Sequence, residues 1–162
     1  MREEAIKNQK VRNFMAISIR LLTLEDYNDA MNLWKSCNEV GLNDLDDSPK
    51  GFARFLQRNP ESCFAAVDDG RFVGCILSGH DGRRGHIYHA AVLGDYRRRG
   101  IGTRLVDAAV DALRRLGITK VALVAFKRNE EGNRFWEKMG FSVRDDLVYR
   151  NMTLQDFNVG RR

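Results

Sequence analysis

No apolar run in this chain approaches a membrane span: the longest, such as Val121 to Phe126, fall far below the roughly 20 residues that a spanning helix needs. No charged head, apolar core and small-residue cleavage site stands near the N-terminus, so the reading carries no secretory signal. Cysteine is scarce and odd in number. Cys37, Cys63 and Cys75 lack C-x-x-C spacing, which argues against a disulfide frame or a metal knuckle and reads as small buried hydrophobes in a reducing compartment. The expected setting is cytoplasmic. Only two prolines occur, and no repeat or linker is visible, so the 162 residues read as one domain. A chain of that length can bury about 70% of its extended surface.

Charge of one sign is also less concentrated than the total suggests. The net charge is +5, but residues 1–15 carry +2 and residues 154–162 carry +1, which leaves +2 for the body. A duplex-binding domain concentrates its excess on a folded face, so the balance argues against a nucleic-acid partner.

What is present is a sequence of alternating strand and helix signals. Residues 1–14 are polar, basic and without period, expected to be a disordered extension before a domain over 15–154, with 155–162 as a tail. Ile17 to Leu22 reads as a strand. Tyr27, Ala30, Met31, Trp34 and Cys37 then follow at helical spacing up to Gly41, behind a Thr23 cap. Ser48-Pro49 opens a second helix with Phe52, Phe55 and Leu56 on one face, and Asn59-Pro60 ends it. Cys63 to Val67 and Phe72 to Leu77 read as a hairpin across Asp69-Gly70. Asp81-Gly82 leads into a fourth strand, Gly85 to Leu93, and a glycine-rich turn precedes a helix with Leu105, Ala109, Leu113 and Leu116 inward. Val121 to Phe126 reads as a strand covered on both faces, parallel to the fourth through a right-handed βαβ crossover. A helix over about Glu130 to Met139 and two strands, Phe141 to Val143 and Leu147 to Met152, complete the pattern. The fold class is α/β, with a mixed, mostly antiparallel sheet and helices on both faces.

The turn Arg97-Arg98-Arg99-Gly100-Ile101-Gly102-Thr103 carries the chemistry. A helix start offers unpaired N–H groups and the positive end of the dipole, and glycine allows a phosphate to come close. Arginines add charge-assisted bonds. A dinucleotide fingerprint requires a third glycine where Leu105 stands, and a Walker loop requires a Gly-Lys-Ser/Thr that is absent. What remains is R-x-x-G-x-G, which resembles the pyrophosphate loop of the Gcn5-related N-acetyltransferases. Ala91-Val92-Leu93-Gly94-Asp95-Tyr96 before it, Asn129, Phe135-Trp136-Glu137-Lys138 and Gly140-Phe141 resemble further segments of that family, over residues 17–154. Leu33-Trp34, Asp81-Gly82 and Gly85 resemble its YpeA-type bacterial members.

The resemblance implies acetyl-CoA as co-substrate, no metal, and transfer of acetyl to a primary amine, small molecule or protein, by direct attack in a ternary complex. A non-catalytic acyl-CoA sensor is the alternative, and a homodimer stays open. By the same resemblance, backbone groups at Val92 and Leu93 pair with the pantothenate arm. Arg97, Arg98, Arg99, Gly100, Ile101, Gly102 and Thr103 hold the pyrophosphate. Asn129 contacts the arm from the other side or caps the helix that follows, and one side chain can do both. Trp136 stands where the family carries the tyrosine that protonates the leaving thiolate, and an indole N–H is a donor but no acid.

Amine acetylation needs a base, because an alkylammonium titrates near ~10. His86 stands six residues before Val92, where related enzymes carry a glutamate or histidine, and Tyr88 stands at a second such place. His86 and His89, three apart on a strand, are expected on opposite faces. His80 reads as a turn residue. In the acidic loop Asn43 to Asp47, Asp44 and Asp46 are candidates for attracting a cationic acceptor, against a plain solvated loop.

Overall fold

The computed structural model describes residues 1–4, 6 and 16–159; the expected extension over residues 1–14 lies mostly outside them. Among the described residues five strands run in chain order across one sheet: β1 Ile17–Leu21, β2 Phe64–Asp68, β3 Arg71–His80, β4 Gly85–Val92 and β5 Val121–Leu123. The first four pair antiparallel, and β4 and β5 pair parallel, as a crossover through a helix requires. The α-helices that pack on the sheet among the described residues are α1 Tyr27–Lys35, α2 Pro49–Arg58, α3 Ile101–Arg115 and α4 Glu130–Lys138. No helix among the described residues is long and apolar enough to cross a membrane.

Strand alternation divides the core into two layers. Cys75, Leu77 and Ala91 face α1 and α2, packing with Leu33, Trp34, Phe52 and Leu56. Val73, Ile76 and Ile87 face α3, packing with Ile101, Leu105, Val106 and Ala109. All three cysteines are buried and free. Burial pushes the Cys63 thiol up to about 12 and Cys75 higher still, so both are inert packing.

Local signals set the corners. Asp69 and Gly70 have φ of 46° and 78°, the type I′ pair that matches strand twist. A Cβ at Gly70 would touch nothing within 4 Å, so only backbone strain opposes it. Gly70→Ala is therefore expected to lower unfolding stability by about 1 kcal/mol, read from urea denaturation. At α2, the Ser48 hydroxyl accepts from the Gly51 N–H at 3.0 Å and Pro49 takes the first helical position.

Three expectations are corrected. β5 ends at Leu123, and beyond it Val124 and Phe126 are partly exposed rather than covered on both faces. Helix α1 stops at Lys35, well before Gly41. The expected strands Phe141 to Val143 and Leu147 to Met152 form no ladder among the described residues. Alternation supplies strand propensity, but a strand also needs a partner edge. Here the tail bonds elsewhere: Asn158 donates from its backbone and its amide to the Asp44 carboxylate, at 2.7 and 2.8 Å. Beside it Asn43 and Val159 make an isolated bridge.

Candidate active site

Pairing between β4 and β5 is confined to Gly85, His86 and Ile87 against Val121, Ala122 and Leu123. Beyond Ile87 the two strands separate, and the backbone of residues 88–92 faces a slot with no strand on that side. One cleft of about 1520 Å³ runs along this slot, from Arg98 and Gly102 past Val92 to His86 and Tyr88.

At one end lies the glycine-rich turn. Arg98 and Gly100 both have positive φ, 59° and 76°, in a stretch that then enters α3. Alternation of this kind gathers successive N–H groups into an anion-binding concavity. The first bond into α3 is donated by the Arg104 N–H to the Gly100 carbonyl at 3.1 Å, so the N–H groups of the first turn lie ahead of the helix's own ladder. A non-glycine residue in the left-handed region is uncommon and costs energy, so the turn is held in a strained form at Arg98. A Cβ built on Gly102 meets only the Phe135 ring, at 3.4 Å. The protein itself thus tolerates a side chain there, and the open space suits an incoming phosphate. The turn fits a pyrophosphate.

The arginines are not equivalent. Arg97 turns back, donating to the Val92 carbonyl at 3.3 Å and toward the Cys37 sulfur at 3.7 Å. Arg99 lies over the Tyr96 ring at 4.8 Å. Arg98 reaches across the cleft mouth toward Glu131 of α4, at 3.8 Å. Both residues of that pair are well exposed, so it contributes little on its own. Of the three, Arg98 is the one whose exposed guanidinium spans the turn and α4.

On the opposite wall, Asn129 caps α4, its carbonyl oxygen accepting from the Gly132 N–H at 2.9 Å. A Cβ at Gly132 would collide with that amide at 2.2 Å, so this glycine is required by the cap. Asn129 also lines the cleft. Trp136 is half-buried between Phe135 and Phe141, centroids 5.1 and 5.3 Å away, and forms part of the cleft wall.

At the far end, a bulge changes the expected geometry. Leu77 pairs with His89 but Ser78 pairs with Ile87, so Tyr88 is an extra residue on β4. One inserted residue inverts the alternation, and His86, Tyr88 and His89 fall on the same face, toward α1 and α2. The expectation of opposite faces for the two histidines is thereby overturned. The His86 and Tyr88 rings lie 4.5 Å apart, Tyr88 meets Phe55 of α2 at 5.4 Å, and His89 meets Trp34 of α1 at 4.7 Å. Burial pushes His86 below its ordinary value and pushes the Tyr88 phenol up, with the Tyr149 charge adding to the latter.

The acidic loop also rearranges the roles expected of it. Asp44 is occupied by Asn158, which holds its carboxyl below the usual range. Asp46 accepts from the Asn43 amide at 2.9 Å and lies 3.7 Å from Arg54, both exposed. The carboxylate that turns inward is Asp47, bonded to His89 at 2.7 Å. Composition marked the loop, but only the fold selects its inward member.

A nest of amides feeding a slot between two separating parallel strands defines an acyl-CoA-binding acyltransferase. Residues 27–141 match the model of the acetyltransferase (GNAT) family. The chain belongs to that family, and it is an acetyl-CoA-dependent acetyltransferase. It is 29% identical to an acetyltransferase of Sodalis glossinidius over 132 residues, 82% of this chain and 92% of that one. Among solved structures it resembles Ard1 of Thermoplasma volcanium, with TM-score 0.70, 25% identity and coverage of 80% and 84%. It shares the fold of a ribosomal-protein-alanine N-acetyltransferase of Brucella melitensis, with TM-score 0.62, 23% identity and coverage of 85% and 100%.

Proposed function

We propose that the protein transfers acetyl from acetyl-CoA to a primary amine by direct attack within a ternary complex. The observation that carries this reading is the continuity of one cleft from the amide nest to His86. Residues 98–103 hold the pyrophosphate, and Val92 and Leu93 with Asn129 flank the pantothenate arm. Those contacts place the thioester near the bulge. The acceptor nitrogen attacks the thioester carbonyl, the C–S bond breaks, and the proton lost by the amine passes to His86, with Tyr88 beside it. Half-buried and with no hydrogen-bond partner among the described residues, His86 stays neutral over most of the physiological range and so has a lone pair to offer. The N-acetyltransferase likeness supports an amine acceptor in a protein or a small molecule. Release of free thiol from acetyl-CoA across peptides with free N-termini, lysine, spermidine and an aminoglycoside tests it; acetyl-CoA binding without release from any amine would overturn it.

Trp136 favours a second reading, an acyl-CoA sensor without turnover, because the indole supplies no acid. Against it, a thiolate resembling cysteine, with an ordinary value of ~8.5, takes its proton from water near neutrality. Trp136→Phe is accordingly expected to keep most of the turnover. Trp136→Tyr should raise it modestly, and Trp136→Ala should fall below both, since it opens the half-buried wall between Phe135 and Phe141. Initial rates of thiol release at saturating acetyl-CoA rank the three. Trp136→Phe losing as much as Trp136→Ala would give the indole N–H a part in the chemistry.

A further inference from the structure

The bulge at Tyr88 brings a second histidine to the face toward α1 and α2, and it comes with a carboxylate. His89 Nε2 lies 2.7 Å from Asp47 Oδ1, and the two side chains are 12% and 7% exposed. The other Asp47 oxygen accepts from the Asn43 N–H at 2.8 Å, and the Asp47 carbonyl accepts from the Tyr27 hydroxyl at 2.9 Å. Asp47 is therefore fixed from three sides: by α1, by its own loop and by β4. The His89 ring is clamped against Trp34.

This geometry decides the tautomer. A carboxylate only accepts hydrogen bonds, so the hydrogen facing Asp47 belongs to Nε2. Neutral His89 then has its lone pair on Nδ1. That atom has no donor among the described residues, and His89 and Asp47 line the same cleft as His86 and Tyr88. The His89 ring, part of the cleft wall, thus carries an acceptor at Nδ1 and a negative charge on its Nε2 side. A primary amine arrives in water as an ammonium with three N–H donors and one positive charge. The two are complementary.

We propose that the Asp47–His89 pair is the seat of the acceptor nitrogen: Nδ1 of His89 accepts one N–H of the arriving ammonium, and Asp47 fixes the ring and supplies the balancing charge. The inference rests on the amine-acetylating reading above and assigns it a recognition residue. It separates two tasks between two histidines on one face: His89 holds the nitrogen, and His86, which has no carboxylate behind it, takes the proton. It also gives the site a chemical preference. A cationic primary amine satisfies the pair, whereas an acceptor with only a hydroxyl or an amide leaves the charge without its partner.

Two isosteric changes test the seat without dismantling it. In His89→Gln the side-chain amide can still donate to Asp47, while the acceptor at Nδ1 is lost. In Asp47→Asn the carbonyl still accepts from the Asn43 N–H, but the new amide donates to Nε2, forcing the hydrogen onto Nδ1 and turning the acceptor into a donor. In both, the KM for the best amine of the panel should rise about tenfold or more, the scale of one charge-assisted hydrogen bond. Turnover at saturating amine should stay within about threefold, and CoA affinity should not change. Nitrogen-detected spectra of isotope-labelled histidine give a readout that needs no turnover. The wild type should show His89 as the Nε2–H tautomer, with its Nδ1 resonance moving as ethylammonium is added, and Asp47→Asn should show the Nδ1–H form. A purely structural tie between the loop and β4 would leave KM unmoved in the folded His89→Gln variant, and that result would overturn the proposal. So would an Nδ1–H tautomer in the wild type. If wild type acetylates no amine, the acetyl-transfer reading falls, while the tautomer and the ethylammonium titration still decide the pair.

Discussion

Gly102→Val is expected to bind CoA about a hundredfold more weakly than the wild type while folding normally. The direction follows from two facts about one residue. The φ of Gly102 is not positive, and a Cβ there meets only the edge of the Phe135 ring at 3.4 Å, an ordinary contact. The first turn of α3 can therefore hold a side chain. The ladder of α3 begins with the Arg104 N–H bonded to the Gly100 carbonyl, so the N–H groups of its first turn, around Gly102, lie ahead of the helix's own bonds. Losing or lengthening one or two charge-assisted hydrogen bonds to a phosphate costs about 1.5–3 kcal/mol each, which sets the hundredfold scale. Gly102→Ala should fall between the two, because a single methyl takes less of the approach. At Gly100 the same substitution carries a separate penalty: its φ is 76°, so alanine there adds backbone strain to any loss of binding. Calorimetric titration with CoA, alongside thermal unfolding, separates the two effects. A folded Gly102→Val with wild-type CoA affinity would remove the turn from the binding site.

This turn was legible in the sequence because its chemistry is local. A helix start and two glycines set its form within a few residues, and the same locality made the Asp69-Gly70 hairpin and the Ser48 cap readable; where each arginine turns was not legible. What was not legible depends on partners far along the chain. The insertion of Tyr88 appears only in the register against Leu77 and Ser78, and a period-2 reading of Gly85 to Leu93 assumes no insertion. The error carried forward: it placed His89 on the wrong face and hid its pairing with Asp47, 42 residues earlier. Clustered carboxylates announced the Asn43 to Asp47 loop, but which of them turns inward depends on the Tyr27 hydroxyl and the His89 ring. At the other end of the chain, Leu147 to Met152 alternates like a strand, yet its neighbours bond to Asp44 instead. The consecutive carboxylates and the histidine in a strand next to a tyrosine were the available signals. They mark a site without fixing its geometry.

His86→Ala should lower turnover by about a hundredfold or more, the usual scale for losing a positioned base, with CoA affinity unchanged. The pH dependence gives the assignment its content. Burial pushes His86 below its ordinary 6.5, because the charged ring is denied water and no carboxylate compensates it. As a base it works only when neutral, so the acid limb of wild-type activity should lie below the ordinary histidine value of 6.5, where the ring gains its proton. The variant has no such group, and its acid limb should move to follow the acceptor alone. Its rate should climb with pH through the alkaline range as free amine accumulates, recovering part of the loss. Burial of a neutral histidine also bears on stability. The unfolded chain takes up a proton near 6.5 that the folded site resists, so the wild type loses stability below that pH. His86→Ala should be less acid-sensitive by that contribution. The two histidines of the cleft are then told apart by which constant moves. His86→Ala should change turnover and the acid limb, whereas His89→Gln should change the KM for the amine. A His86→Ala variant that keeps the wild-type pH–rate profile would exclude His86 as the base and move the proton to Tyr88 or an ordered water.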